Sequence, residues 1–516
     1  MLGPEDPART CDNLRNECCD ESSARTAVIH NYRMGKVLSA FVGLSVVATA
    51  CSSATDSATS DINSEPAVES DAESTEESAE PGAPIEFELP VGAPIDFGPA
   101  PEVPEGDVSP EVAEALALVT SSDVDESTFT PEQLDAIAFL GESGDPRVAW
   151  TLSDILRFSR NPDRITAISI AANTLLGDSF VGSDWGDLTD RLIAWDIPEP
   201  TGYIDQKRAI FTSVLIDWEP FFDPASPIDW RFVSWGGVRI DDQPYNETPG
   251  TTCNCIPAVD NPETQSAEDA TWLEDDDVIF GVVINGEARA YPRRTMEVRE
   301  MVNDTLGGRD FALPYCTLCG SAQVWFTDNV DGLDERPILR TSGLLIRSNK
   351  VMYELNSGSV YDTFLGDAQS GPHLEAGIQL EQHTVVTSTW GAWVEENPGT
   401  DVLVEELALG RDFDFRSGRD AGGPIFPIGD VDPRLDIQED VLGIIQEDGT
   451  PLAFHVNSAI AALENGETVE VDGITLELSG SGVKAVDADG NDIVGHQSFW
   501  FAWSQFNEGT ELWPEV

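Results

Sequence analysis

The sequence predicts an α+β multidomain protein: a helical N-terminal domain followed by a β-rich domain of two related lobes. Three observations predict it. Between residues 108 and 249, apolar residues recur at helical spacing behind proline or aspartate starts. Beyond 250 they fall in short β-branched runs separated by Gly, Asn and Asp. Two segments of that second region recur further along the chain in the same order. At 516 residues the chain is also too long for one ordinary core, so two or three folded units are expected.

From the N-terminus, residues 1–33, with Cys11, Cys18 and Cys19, read as sequence upstream of the biological start at Met34. Gly35 and Lys36 then lead into VLSAFVGLSVVATAC, a charge followed by an apolar stretch too short to span a bilayer comfortably. Residues 34–50 resemble a bacterial lipoprotein signal peptide: Ala48, Thr49 and Ala50 stand directly before Cys51, which acylation would make the mature, membrane-anchored N-terminus. The alternative is an ordinary cleaved signal with an incidental cysteine, because Ala48 stands where leucine is commonest. The predicted location is the cell membrane, lipid-anchored and facing outside the cytoplasm.

Residues 51–107 are Ser, Asp, Glu, Ala and Pro with few large apolars, and no Lys or Arg occurs from Val37 to Pro146. Such a segment cannot bury enough apolar surface to offset its ordering entropy, so it reads as a disordered acidic tether. The whole chain carries a formal charge of -66, and lysine occurs only at 36, 207, 350 and 484. With no basic stripe to neutralise phosphates, nucleic acid is excluded as a partner.

The helical domain, 108–249, begins with PEVAEALALV and PEQLDAIAFL. DPRVAWTLSDILRF and ITAISIAANTLLG follow; they resemble helices of a HEAT-type repeat, with an irregular helical domain as the alternative and a protein partner on this domain as the corollary. From Trp185 to Trp235, tryptophan, proline and aspartate suggest a loop-rich connection with buried aromatics. In 250–516, VIFGVVINGEARAYP, GGRDFALPY, SAQVWFTD and ILRTSGLL read as strands, with Asn285–Gly286 as a hairpin turn. TWGAWVEENPGTDV (389–402) aligns with FWFAWSQFNEGTEL (499–512), and VIFGVVINGEARAY (278–291) with DVLGIIQEDGTPLAF (440–454). These matches define the two expected lobes, about 250–410 and 425–516.

Chemistry concentrates in the first lobe. Cys316 and Cys319 form a CxxC in LPYCTLCGSAQVW, and Cys253 and Cys255 a CxC in TTCNCIPAVDNP, whereas the second lobe has GITLELSGSGVKAV where the CxxC would fall. A fold that stands without the CxxC in one copy points to function rather than stapling in the other. Three readings stay open. The four thiolates could close a tetrahedral zinc site or a soft copper site. They could pair as disulfides, the default outside the cytoplasm. Or the CxxC could be a redox pair, against which stand the lack of a thioredoxin-like setting and of a lysine near the thiols. Arg299, Asn303, Asp304, Ser348 and Asn349 are candidate substrate-orienting residues around the cysteines, although Asn and Ser in such turns also serve as loop caps. His373, His383, His455 and His496 fall in no ligand motif, and there is no GxSxG, HExxH or phosphate-binding glycine loop. The function classes left are a cysteine-based metal-binding module, a thiol- or metal-dependent enzyme with its pocket between the lobes, and a structural envelope protein with disulfides.

INGEARAYP, MVNDTLGG, LPYCTLCGSA, TSGLLIRSNKVMYE, TWGAWVEENPGT and FWFAWSQF together resemble the bacterial DUF3179 family, over about residues 250–516. IDWRFVSWGGVRIDDQPY is similar to a companion region of its actinobacterial members. The resemblance implies that Asn303, Asp304, Tyr315, Cys316 and Cys319 are family hallmarks. Members often carry histidine where this chain has Arg299, so a Cys/Cys/His site is not carried over, which favours the four-cysteine site or a disulfide. The family implies no reaction.

Overall fold

Proline followed by an acidic residue, behind an oxygen-bearing cap, opens the first helices of the chain. The computed structural model describes residues 87, 89–121, 130–177, 184–247, 254–404 and 423–515, all within one compact unit, Glu77–Val516. Helix α1 (Pro110–Thr120) is capped by Ser109, whose Oγ accepts from the Val112 N–H at 3.2 Å. Helix α2 (Pro131–Glu142) begins with a reciprocal capping box between Thr130 and Gln133. Helices α3 (Ala149–Phe158) and α4 (Pro162–Leu176) follow, the latter capped by Asn161. The expected loop-rich connection instead holds two more helices, α5 (Trp185–Ala194) and α6 (Tyr203–Val214). Asp184 and Gly202 start them, signals that the surrounding tryptophans and prolines obscured. Helix α3 touches α4, α5 and α6, and α1 returns to α6, so the helices close into a group rather than stacking in a HEAT-like row.

The two expected lobes are not present. The β-rich region forms a five-bladed propeller of sheets with four to six strands each. Blade I orders Val233–Trp235, Leu339–Ile346, Asn349–Glu354 and Val360–Asp362. Blade II runs Gln382–His383, Val324–Phe326, Arg309–Cys316, Met301–Leu306 and Val259–Asp260, with Ser321–Ala322 folded back on Arg309–Cys316. Blade III runs Val386–Thr389, Val278–Ile284, Glu287–Pro292, Asp401–Val404 and Glu263–Ser266. Blade IV runs His496–Phe499, Asp440–Ile445, Pro451–His455 and Glu511–Trp513; blade V holds Glu470–Val471, Ile474–Ser479, Gly482–Val486 and Asp492–Ile493.

The aligned segments therefore sit in two blades, III and IV, with one local design. In each, the final strand pairs parallel to the second strand of the hairpin. Trp393 Nε1 donates to Thr400 Oγ1 at 3.0 Å and Trp503 Nε1 to Thr510 Oγ1 at 2.9 Å. Gly281 and Gly443 leave room for these indoles: a Cβ would lie 2.5 Å and 2.2 Å from the respective rings. The lobes fail because the stretch 250–410 feeds three blades and borrows Val233–Trp235 from the preceding connection.

The helical region is not a separate body either. One apolar core joins residues of the helices, such as Trp150 and Phe211, to Leu344, Val351, Tyr353 and Val360 of blade I, and Trp218 Nε1 donates to Ser342 O at 2.9 Å. The last part of the expected tether also packs on this body. Phe87 meets Trp513, Pro90 O accepts from Asp436 N at 2.6 Å, and Gly98 O accepts from Trp195 Nε1 at 3.0 Å. Phe87, Leu89 and Phe97 are the apolar anchors there; residues 1–86, including the signal segment and Cys51, lie outside the described residues. Among the described residues, no helix is long and apolar enough to cross a membrane.

Candidate functional site: a buried dithiol beside a cavity

The strand Arg309–Cys316 of blade II ends in a tight turn. Cys319 N–H donates to Cys316 O at 3.2 Å, Gly320 takes φ 61°, and Ser321 then pairs back on Cys316. A Cβ at Gly320 would also meet the Phe499 ring at 3.0 Å. Facing this turn is the two-residue turn of blade I between Ile346 and Asn349, with Arg347 at φ 53°. Residues 426–428 pin it from outside: Ser348 Oγ donates to Phe426 O at 3.1 Å and Arg347 Nη1 to Ile428 O at 2.7 Å.

Both thiols converge on this turn. Cys316 Sγ and Cys319 Sγ lie 3.6 Å and 3.5 Å from Ser348 O, Cys319 Sγ lies 3.8 Å from Asn349 Oδ1, and the Lys350 N–H donates to Cys316 Sγ at 3.4 Å. Cys316 and Cys319 are free thiols, 1% and 0% exposed. They are not equivalent. Burial pushes the Cys316 thiol up, but the hydrogen bond from Cys319, the Lys350 N–H and the Cys319 N–H outweigh it, and its pKa ends below the ordinary value. Burial holds Cys319 well above that value, and its proton shared with Cys316 adds to the rise. Proton loss thus falls on Cys316, with Cys319 as its donor.

Lys350 is 3% exposed; its Nζ donates to Glu300 O and lies 3.8 Å from Glu300 Oε2. Burial lowers its pKa, against the pull of Glu300 and of Cys316. The sequence reading placed no lysine near the thiols; strand pairing in blade I puts one there. Lys350, Glu300, Cys316, Thr317 and Thr341 line a cavity of about 140 Å³, walled by Ile256, Leu318, Leu344, Leu345 and Phe426. It lies between blades I and II, not between lobes. Behind the turn, His496 Nε2 and Ser321 Oγ are 2.6 Å apart, and burial pushes the imidazole pKa down to about 3, so the ring is neutral.

Of the residues predicted for the site, Cys316, Cys319, Ser348 and Asn349 come together. Asn303 and Asp304 do not join them; they tie blades to one another. Asn303 Nδ2 donates to Asp260 Oδ1 at 2.9 Å and to Leu339 O at 3.1 Å, and its Oδ1 accepts from Leu339 N at 3.1 Å. Asp304 accepts from Tyr291 OH at 2.7 Å and Arg289 Nη1 at 2.8 Å. Arg299 is buried at the end of the helix Arg293–Arg299 and is not on the cavity. Cys255 is disulfide-bonded, and Cys253 lies outside the described residues. A four-thiolate site needs Cys255 reduced, and among the described residues no group of three His, Cys, Asp or Glu side chains is placed to hold a metal ion. Lys350 and Thr341 were not singled out by the sequence; the scarcity of lysine was the one signal available for the first.

Residues 253–478 match the family described as Protein of unknown function (DUF3179). That stretch holds the dithiol, Lys350, all of blades II and III and part of blades I, IV and V, but it is less than half of the chain. No curated protein and no solved structure matches.

Proposed function

We propose that Cys316 and Cys319 form a redox-active dithiol that reduces a disulfide ligand, on a protein held at the outer face of the membrane by lipid at Cys51. The carrying observation is the asymmetry of the pair: the thiol with the lowered pKa lines the cavity, and the proton-holding one stands behind it. In the first step the Cys316 thiolate attacks one ligand sulfur, forming a mixed disulfide and expelling the other half as a thiolate. Cys319 then gives up its proton and attacks Cys316 Sγ. The Cys316–Cys319 disulfide forms and the second half leaves, so two electrons pass from the dithiol to the ligand and two thiols are released.

The test is alkylation of the reduced protein with iodoacetamide near pH 7, followed by peptide mass analysis, and equilibration in buffers of 2-mercaptoethanol and its disulfide. Cys316 is expected to label well before Cys319, and the pair to oxidise as one two-electron couple. Equal labelling, or thiols that stay reduced in every buffer, would refute the reading. Zinc or copper held by the two sulfurs is the second reading, favoured by their convergence on one point; Cys253 and Cys255 would complete that site only when reduced. Elemental analysis of protein purified without reductant or chelator decides it: one equivalent of metal, lost in Cys316→Ser, supports the metal site.

A further inference from the structure

Of the two thiols, Cys316 lines the cavity between blades I and II and Cys319 does not. Cys316 is 1% exposed, so a disulfide on the surface of a folded protein cannot reach its sulfur without carrying backbone into a space of about 140 Å³. A cavity of about that volume accepts a molecule of benzene size, so roughly six to eight non-hydrogen atoms fit. Its walls are apolar at Ile256, Leu318, Leu344, Leu345 and Phe426. One polar group there lacks a partner: Thr341 Oγ1 is buried, Thr341 is 3% exposed, and the hydroxyl makes no hydrogen bond among the described residues. A buried hydroxyl without a partner is destabilising, and a ligand group that bonds to it would remove that cost. Glu300 and Lys350 also line the cavity as an opposed pair 3.8 Å apart, so little net charge is left to attract a charged ligand.

We infer that the cavity selects a compact, uncharged, low-molecular-weight disulfide carrying a hydroxyl or similar polar tip that bonds to Thr341. The inference rests on the dithiol reading above and names its substrate class. Gly343 contributes to the fit: it sits at φ 78°, and a Cβ there would meet Val238 O at 2.4 Å, so backbone rather than a side chain shapes that wall.

The experiment is stopped-flow oxidation of the fully reduced chain by bis(2-hydroxyethyl) disulfide, dimethyl disulfide, glutathione disulfide and insulin, each rate divided by its rate with free dithiothreitol. On this scale the hydroxyl disulfide is expected to react roughly tenfold or more faster than glutathione disulfide and insulin. Thr341→Val, which keeps the shape and removes the hydroxyl, is expected to slow the hydroxyl disulfide roughly tenfold and leave dimethyl disulfide unchanged. Glutathione disulfide or insulin reacting as fast as the small disulfide would overturn the pocket inference and leave the dithiol standing. So would a Thr341→Val effect that is absent, or equal for both small disulfides. No oxidation by any of the four would instead overturn the dithiol reading itself.

Discussion

Asn303→Ala separates a residue that orients substrate from one that joins blades. Asn303 is fully buried, and its carboxamide makes three hydrogen bonds: to the Asp260 carboxylate, to Leu339 O and from Leu339 N. After truncation, Leu339 O keeps a bond from Arg340 Nη1 at 3.3 Å, and Asp260 keeps the paired Arg340 guanidinium at 2.8 Å and 2.6 Å. The Leu339 N–H is left buried without its partner, at about 1–3 kcal/mol, and the bonds to the carboxylate and to Leu339 O add their net worth. The expected loss is about 3–5 kcal/mol, a large value with a named mechanism. Urea unfolding followed by the fluorescence of the 13 tryptophans reads it as a lowered midpoint. The rate of Cys316 alkylation in the folded variant is expected to match the wild type, because Asn303 does not line the cavity. Unchanged stability with lost thiol chemistry would refute this account and restore Asn303 to the site.

Gly443→Ala places a Cβ 2.2 Å from the Trp503 ring, which Thr510 holds in place, and is expected to cost about 1–3 kcal/mol in urea unfolding. Gly399→Ala, where the added Cβ meets nothing within 4 Å, is the control and is expected to be nearly neutral. His496 gives a pH signature: an unfolded histidine titrates near 6.5, whereas burial holds the folded ring down to about 3. The unfolded chain therefore binds the proton first, so this contribution to stability is whole above about pH 6.5 and is lost as pH falls toward 3. Burial raises Asp190 and Asp362 to about 6, so they bind protons first in the folded state and act oppositely as pH falls from about 6 to 3.8. The expected outcome is thus a difference: His496→Gln loses less stability than wild type between pH 6 and pH 4, and identical slopes would count against it. Cys319→Ala is expected to move Cys316 alkylation to higher pH, because the side-chain hydrogen bond from Cys319 is gone; mass spectrometry of alkylated peptides across pH checks it. Cys51→Ser is expected to release the protein from membranes after a salt wash with its folded part unchanged, as read by fractionation and circular dichroism.

Features that neighbours along the chain decide are legible in the residues alone. Ser109 and Pro110, or Thr130 and Gln133, lie within one turn of each other, so those helix starts are legible. Asn285 and Gly286 take positive φ, 53° and 82°, because a two-residue hairpin turn demands it of adjacent residues. The CxxC turn closes through Cys319 N–H to Cys316 O, again within four residues. Blade membership is different. An alternating strand looks the same whether it belongs to a lobe or to a propeller blade, and only pairing between distant segments, such as Val233–Trp235 with Leu344–Ile346, decides it. The roles of polar residues followed the same division. Asn303 and Asp304 read as site residues because they stand near the CxxC in sequence, yet strand direction turns them toward blades I and III. Lys350 lies 34 residues from Cys316, and tertiary packing alone brings its N–H to that sulfur. The hydrogen bonds that lower the Cys316 pKa in a buried place come in part from another blade, so the chemistry of the pair was set by strand packing that no local pattern encodes.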